Sequence, residues 1–400
     1  MSSRFDAIVV GARCAGSPTA MLLARAGLRV LLVDRATFPS DTLSTHVVHP
    51  PTAAALQRWG LLERLERTGC PPIETYSYDF GPFTITGAAR TPGAPPAYCP
   101  RRIVLDKLLL DAAAEAGAEV REGFAVEEIL VEDGRVAGIR GRGRDGAAVT
   151  ERATIVVGAD GWHSRVAAAA GAEKYRERPA LSVAYYSYWS GLPVDRFELH
   201  IRPARGFGLA PTHDGLTLII GGWPIAELQE NRDDAERRFQ AMLTDVPEVA
   251  ERLRDARRVE ALKHAAIPNY FRKPYGPGWA LVGDAGYLKD SITAQGIHDA
   301  FHDAERCARA ITGFLGGGRS WEEAGAAYQR ERDEASLPMY EFTCELARLE
   351  PPTPEQAALF AAIHRNRASS DEFVRMNTGA ISPAVFFAPE NVGRLLAAAD

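Results

Sequence analysis

Two hydrophobic rhythms alternate along the chain. In the first, short runs are apolar almost without a break. Phe5–Val10 is such a run, β-branched toward its end, and suits a strand buried on both faces. Gly11–Gly16 reads as a turn. Ser17–Ala26 is rich in Ala and Leu and reads as a helix that Gly27 stops. Arg29–Val33 is a second buried strand ending at Asp34. The rhythm returns later. Leu105–Ala116 reads as a helix, Glu119–Glu122 as a short strand, and Phe124–Leu130 with Arg135–Arg140 as a hairpin about Asp133-Gly134. Thr154–Val157 and Ala280–Val282 are further short buried strands, and the helix Gly296–Ala310 follows the second.

The other rhythm has a period of two. Across Leu181–Gly222, Val183, Tyr185, Ser187 and Trp189 share one strand face; Ala184, Tyr186, Tyr188 and Ser190 share the other. Gly206–Pro211 and Leu216–Gly222 flank His213-Asp214-Gly215, a hairpin signal. Pro82–Pro100 is rich in Pro, Gly and Thr, as loops with short edge strands are. Asp233–Leu243 reads as a polar-faced helix, and Glu227–Glu260 as a solvated helix pair. Beyond Trp321 the pattern is helical, with breaks expected at Pro338, Pro351 and Pro383. The expectation is an α/β fold: a doubly wound domain interrupted by a mostly antiparallel sheet, completed late, and followed by C-terminal helices. The boundaries expected are 1–75, 101–180 and 270–320 for the doubly wound domain, 76–100 and 181–269 for the sheet domain, and 321–400 for the helical region.

Composition narrows the function. The 400 residues are 46% hydrophobic and 24% charged, an ordinary globular balance, and the net charge of −6 argues against a general nucleic-acid binder. No apolar run reaches the roughly 18–20 residues that span a bilayer. The N-terminus lacks a signal-peptide layout, so no membrane role is expected. The five cysteines include no C-x-x-C pair and read as reduced thiols of a cytoplasmic protein.

The chemistry begins at Gly11-Ala12-Arg13-Cys14-Ala15-Gly16. A dinucleotide fold needs a tight strand-to-helix turn and helix N–H groups aimed at a pyrophosphate. Gly11 and Gly16 have the spacing of the first and third glycines, and Arg13 replaces the middle one. Arg13 either adds a cation near the phosphates or points to solvent. Asp34 ends the second strand, where an acid accepts hydrogen bonds from ribose hydroxyls. Strand, turn, helix, strand and acid together indicate nucleotide binding. They leave NAD, FAD or a lone adenosine open.

Two further segments bear on that choice. Gly158-Ala159-Asp160-Gly161 follows the buried Ile155–Val157. Gly283-Asp284-Ala285-Gly286 follows Ala280–Val282 and runs on to Thr293-Ala294-Gln295-Gly296-Ile297. With the first motif, they resemble the three fingerprints of the flavoprotein monooxygenases typified by para-hydroxybenzoate hydroxylase. Geranylgeranyl reductases and flavin-dependent halogenases share that fold. The resemblance covers most of residues 5–315 and implies a Rossmann-like FAD-binding domain with an inserted substrate sheet. It implies that Cys14 and Ala15 lie in the phosphate turn and that Asp284 bonds a ribityl hydroxyl. The segment Thr293–Ile297 would aim helix N–H groups at the flavin N1–C2=O locus. Asp160 would stand behind the pyrophosphate. Arg102 would reach the phosphate or ribityl region, and Arg35 would lie along the adenosine. The Val126 backbone would pair with adenine, and Leu43, Ser44 and Thr45 would line the flavin.

The chain departs from the hydroxylase pattern at Tyr287, Asp290, Ser291 and Thr293, and Lys289 and Asp290 bring charge toward the ring site. The halogenase segment Trp-x-Trp-x-Ile-Pro is absent, which argues against chlorination. His298 and His302 stand four apart but lack the Glu of a zinc-protease helix, so no metal is expected. Ser164 and Ser291 lack a nucleophile-elbow context. His46, Tyr185, Trp189, Phe207, Pro211, His213 and Trp223 are the residues expected in the substrate pocket. His49, like His46, could meet substrate in front of the flavin or be a loop residue, and no acid or base is named. The resemblance implies an FAD-dependent, single-component monooxygenase that uses NAD(P)H and molecular oxygen on an aromatic or unsaturated small molecule. A flavin-dependent reductase of a carbon–carbon double bond and a non-catalytic flavin sensor are the alternatives.

Overall fold

An unbroken apolar strand has no side to turn to water, so it must be covered on both faces. In the computed structural model, which describes residues 4–230 and 234–398, Phe5–Val10 and Val30–Asp34 meet that demand at the centre of a sheet. The strand order is Tyr275–Gly276, Trp279–Leu281, Ala148–Gly158, Phe5–Val10, Val30–Asp34, Glu119–Glu122. Phe5–Val10 runs parallel to both neighbours. The pleat divides its side chains. Ala7 and Val9 enter a core with the helices Gly16–Arg25, Arg102–Glu115 and Gly296–Leu315; Phe5, Ile8 and Val10 enter another with Val166 and Ala167. The expected strand Thr154–Val157 is only the inner part of Ala148–Gly158. Its outer part pairs antiparallel with Arg135–Arg142 and alternates in exposure, so it carries no apolar run.

The second large sheet has the order Arg257–Arg258, Ser182–Ser190, Thr217–Pro224, Arg205–Pro211, Phe197–Arg202, Thr75–Asp79, Thr84–Ala88. All its neighbours are antiparallel except Phe197–Arg202 and Thr75–Asp79. Lys263–Ala265 also pairs with Ser182–Ser190 and sets Lys263 opposite Tyr186. One face of this sheet carries Val183, Tyr185, Trp189, Phe207, Leu209, Ile219 and Trp223, covered by the helices Ala235–Thr244 and Pro247–Arg252. The expected start of the first of these helices at Asp233 lies outside the described residues. The other face carries Tyr76, Tyr78, Tyr186, Tyr188, Phe197, Ala210 and Leu218. Leu359, Ile363, Phe373, Met376, Phe386 and Leu395 from the C-terminal helices pack on it.

The C-terminal region differs from expectation in two ways. Pro338 does not end a helix: Trp321–Leu346 runs through it. The missing N–H removes one ladder bond, but the flanking turns are fixed from outside. Arg332 is fully buried and donates to Gly286 O and Arg272 O, and Tyr328 Oη donates to Leu281 O. Pro383 opens a helix rather than breaking one, and Pro351 lies between helices. The region is also shared between cores. Trp321, Ala324 and Tyr328 join the first sheet's core, whereas the helices from Pro354 onward join the inner face of the second.

Candidate cofactor and substrate site

The three glycine-rich segments, far apart in sequence, meet at one place. Gly11 has φ 103°, and a Cβ there would lie 2.4 Å from Ala159 O. A Cβ on Gly16 would lie 1.7 Å from Gly11 O. A Cβ on Gly283 would lie 2.8 Å from Cβ of Ala15. Gly11 therefore touches the Ala159-Asp160 segment, and Ala15 touches the Gly283-Asp284 segment. This packing closes the turn and frees the N-terminus of Gly16–Arg25 to face a phosphate.

Acidic side chains brace the turn. Asp34 accepts from Ala12 N–H and from Ala36 N–H, each at 2.7 Å. Its carboxylate thus fixes the turn as well as ending the strand, with lone pairs to spare for hydroxyls. Asp160 Oδ2 accepts from Arg165 N–H at 2.7 Å, while Oδ1 is buried without a partner. Arg35 is exposed, and Val126 lies at an irregularity in the pairing of Ala125–Glu132 with Arg135–Arg142.

Asp284 follows the strand Trp279–Leu281. Its side chain is exposed, yet protein encloses it closely enough that desolvation pushes its carboxyl up to about 6, against the pull of Arg102. No described residue donates to its carboxylate. A solvent-reachable carboxylate walled in by protein lines a cleft. Arg102 faces the same cleft electrostatically. Its Nε and Nη2 donate to the fully buried Asp106 at 2.9 and 3.1 Å, and Nη1 is left over. Asp106 was not anticipated as a site residue, although its i,i+4 spacing from Arg102 is legible in the motif Arg102-x-x-Leu105-Asp106.

The start of the helix Gly296–Leu315 completes the cleft. Ala294 adopts φ 53°, and the first turn bond is Asp299 N–H to Gln295 O. The preceding helix N–H groups have no intrahelical partner. Gly296 is exposed, and a Cβ there would meet nothing within 4 Å. Thr293 Oγ1 is tied to Thr343 Oγ1, and Gln295 Nε2 to Asn377 O. Ile297 is buried. Of the charges expected near the ring site, Lys289 pairs with Asp299, and Asp290 accepts from Ser182 Oγ and Ile292 N–H. A walled carboxylate, a spare guanidinium N–H, unpaired helix N–H groups and a glycine turn fit FAD.

The Arg13 guanidinium, a quarter exposed, clamps Asp106, Ser40 and Asp41. Cys14 is buried beside this cluster and donates from Sγ to Asp106; burial pushes its thiol up. The segment Ser40–His46 leaves it without regular structure. Leu43 is exposed there, Thr45 is half-buried, and Ser44 Oγ accepts from His46 N–H.

Five of the seven residues expected in the substrate pocket lie on the face of the sheet that the helix Ala235–Thr244 covers. Tyr185, Trp189, Phe207 and Trp223 form the core beneath Ala235–Thr244, with Tyr185 stacked on Trp223 at 4.4 Å. Pro211 shares the strand parity of Phe207 and Leu209. His213 is a buried lock. Arg101 N–H donates to its Nδ1 at 3.2 Å, so Nε2 carries the proton and donates to Thr68 Oγ1 at 2.8 Å. Only His46 lies toward the inner face. Its Nε2 is 2.7 Å from Tyr188 Oη, its Nδ1 is buried without a partner, and Tyr186 packs edge-on to it. The inner face descends in rows across the sheet. Ala184, Gly222, Gly206 and Ile201 are half-exposed. Next come Tyr186, Ile220, Gly208 and Leu199, then the buried Tyr188, Leu218, Ala210 and Phe197. Ala294 joins the same apolar cluster. These rows form a mostly apolar trough beside the start of Gly296–Leu315, with Lys263 over the Tyr186 ring and Arg101 over the Tyr188 ring.

Among the described residues no group of His, Cys, Asp or Glu could hold a metal ion. His298 bonds Thr52 and packs on His302. Burial, then Arg102, holds His46 down to about 3, and burial holds His49 to about 4. A histidine with a depressed folded pKa stabilises fully above its ordinary value near 6.5. That contribution fades as pH falls toward the folded value. Relative to His46→Gln, the wild type should therefore lose up to about 1.4 kcal/mol of stability per pH unit below 6.5. Urea unfolding of both proteins between pH 7 and 4.5 checks this; parallel curves would contradict it.

The profile of the FAD binding domain matches residues 4–343. Digeranylgeranylglycerophospholipid reductase 2 of Methanopyrus kandleri is 28% identical over 303 residues, 74% of this chain and 73% of its own length. The 6-methylpretetramide 4-monooxygenase of Streptomyces rimosus is 28% identical over 329 residues, 75% of this chain and 73% of its own. Among solved structures, the FAD-dependent myxobacterial chondrochloren halogenase superposes with a TM-score of 0.80 at 25% identity, covering 99% of this chain and 97% of that one. No helix among the described residues is long and apolar enough to cross a membrane.

Proposed function

The chain belongs to the FAD binding domain family of flavin-dependent oxidoreductases, and from that premise we propose that it is a single-component monooxygenase. It would use NAD(P)H and molecular oxygen on an aromatic or unsaturated small molecule. Bound FAD would supply electron transfer and oxygen activation. The chain's own residues orient, exclude water and balance charge. The observation that carries the reading is the mostly apolar trough, floored by Gly206, Gly208 and Gly222 and walled by Tyr186, Ile220 and Leu199. It abuts the helix start whose free N–H groups suit an anionic reduced ring. Such a trough suits a flat or elongated, largely apolar molecule, with the Lys263 and Arg101 cations lying over two of its tyrosine rings. The resemblance to the 6-methylpretetramide 4-monooxygenase of Streptomyces rimosus supports the same reading.

A second reading, reduction of a carbon–carbon double bond, draws on the similar coverage of the Methanopyrus reductase. A screen of aromatic, polyketide-like and isoprenoid compounds for stimulated NAD(P)H oxidation, run with and without oxygen, separates them. Oxygen-dependent product supports the monooxygenase. Product formed equally well without oxygen supports the reductase, and flavin that NAD(P)H never reduces would leave a sensor.

The two faces of the second sheet give opposite mutational signatures. Ile220→Trp should fill the trough and raise KM at least tenfold, with FAD content unchanged. Trp223→Ala should leave KM within about twofold and destabilise the fold by about 3–5 kcal/mol, as large-to-small core changes do. Steady-state kinetics and thermal unfolding of the two variants check the assignment. The reverse pattern would return the pocket to the outer face.

A further inference from the structure

Resting on that reading of the cleft, we propose that Arg13 is a positioning residue for the substrate side of the site and not a phosphate ligand. An arginine has five N–H donors. Arg13 Nη1 donates to Asp106 Oδ2 at 2.6 Å and to Ser40 O at 3.2 Å; Nη2 donates to Ser40 Oγ at 2.7 Å and to Asp41 O at 3.2 Å. The guanidinium also lies over the Phe38 ring at 5.3 Å. Three of these bonds hold Ser40 and Asp41, where the segment leading to His46 begins, and the fourth holds Asp106.

The contacts continue to the second sheet. Asp41 Oδ2 accepts from Lys263 Nζ at 2.9 Å, and Lys263 also pairs with Glu260 at 3.0 Å. Lys263 lies over the Tyr186 ring, and Tyr186 Oη donates to Thr42 O at 3.5 Å. His46 then meets Tyr188. Segment Ser40–His46 is a strap: Arg13 pins one end to the nucleotide turn, and the inner face of the sheet holds the rest. Asp106 sits between Arg13 and Arg102 and bonds both. The arginine that displaces the middle glycine thus carries order from the nucleotide turn to the trough wall through bonded groups.

Arg13→Gly restores the usual glycine and so separates the two roles. In the FAD-loaded protein, the variant should bind FAD within about threefold of wild type. Amide exchange of residues 40–46 should rise tenfold or more, with the central strands unchanged. Arg13→Gln should show the same pattern without added backbone freedom, and stands in if the glycine variant misfolds. Arg13→Lys, which keeps the Asp106 pair but not the fork, should fall between. In turnover, NAD(P)H oxidation should persist while product per NAD(P)H falls, because a loose strap misplaces substrate before the ring. Loss of FAD affinity by tenfold or more, or unchanged exchange of residues 40–46, would overturn the proposal. Exchange and FAD affinity need no substrate, so they test Arg13 even if the reaction proves to be a reduction.

Discussion

Gly16→Ala is expected to yield protein with less than a tenth of the wild-type FAD content. The added Cβ would fall 1.7 Å from Gly11 O, 2.9 Å from Gly11 C and 3.0 Å from Cβ of Ala159. The first two are backbone atoms of the turn itself. They cannot swing aside as a side chain can, so the overlap must spread the turn. Overpacking of ordinary side chains costs about 1–3 kcal/mol and occasionally more. Paid at the phosphate turn, that range alone corresponds to roughly five- to more than a hundredfold in affinity. The helix Gly16–Arg25 also packs on Arg102–Glu115 and Gly296–Leu315, so lower thermal stability should accompany the loss. Flavin absorbance per purified chain and fluorescence titration of the stripped protein measure both. Wild-type flavin content would show that the turn is not where the dinucleotide sits.

Asp284→Ala should bind FAD roughly ten- to more than a hundredfold more weakly than wild type while keeping its fold. Hydrogen bonds to a charged group contribute about 1.5–3 kcal/mol each, and this carboxylate has no partner of its own among the described residues. Its removal therefore leaves no buried donor orphaned. The pH dependence gives an independent sign. Burial first, opposed by Arg102, raises the Asp284 carboxyl to about 6. A ribityl hydroxyl would donate to the ionised form, so wild-type affinity should fall as pH drops below 6, by up to tenfold per unit. Asp284→Asn should be flatter over the same range. Unchanged flavin content in Asp284→Ala would overturn the placement of the ribityl site.

The doubly wound half was legible in the sequence because two-sided burial leaves an unbroken apolar run with sharp glycine ends. Phe5–Val10, Val30–Asp34 and Trp279–Leu281 were found this way, within a residue. The half-exposed start of Ala148–Gly158 was not, because its burial alternates. In the second sheet, alternation showed which side chains share a face but not which face turns toward the cleft. Tyr185 and Tyr186 look alike in sequence. The choice was made by distant partners: Phe239, Met242 and Leu243 cover Tyr185, while Phe373, Met376 and Phe386 belong with Tyr186. The contacts of Arg13 were not legible either, since its partner Asp106 is 93 residues away and nothing local announces the pair. Arg102 and Asp106 are one helical turn apart, and their pairing needed only the helix.

The mechanism stands or falls on the fate of molecular oxygen. Once the screen supplies a substrate, turnover with NAD(P)H under ¹⁸O₂ should give product carrying one ¹⁸O atom, with one O₂ consumed per product. Unlabelled product formed at the same rate without oxygen, and two hydrogens heavier than the substrate, would contradict the monooxygenase and establish the double-bond reductase in its place.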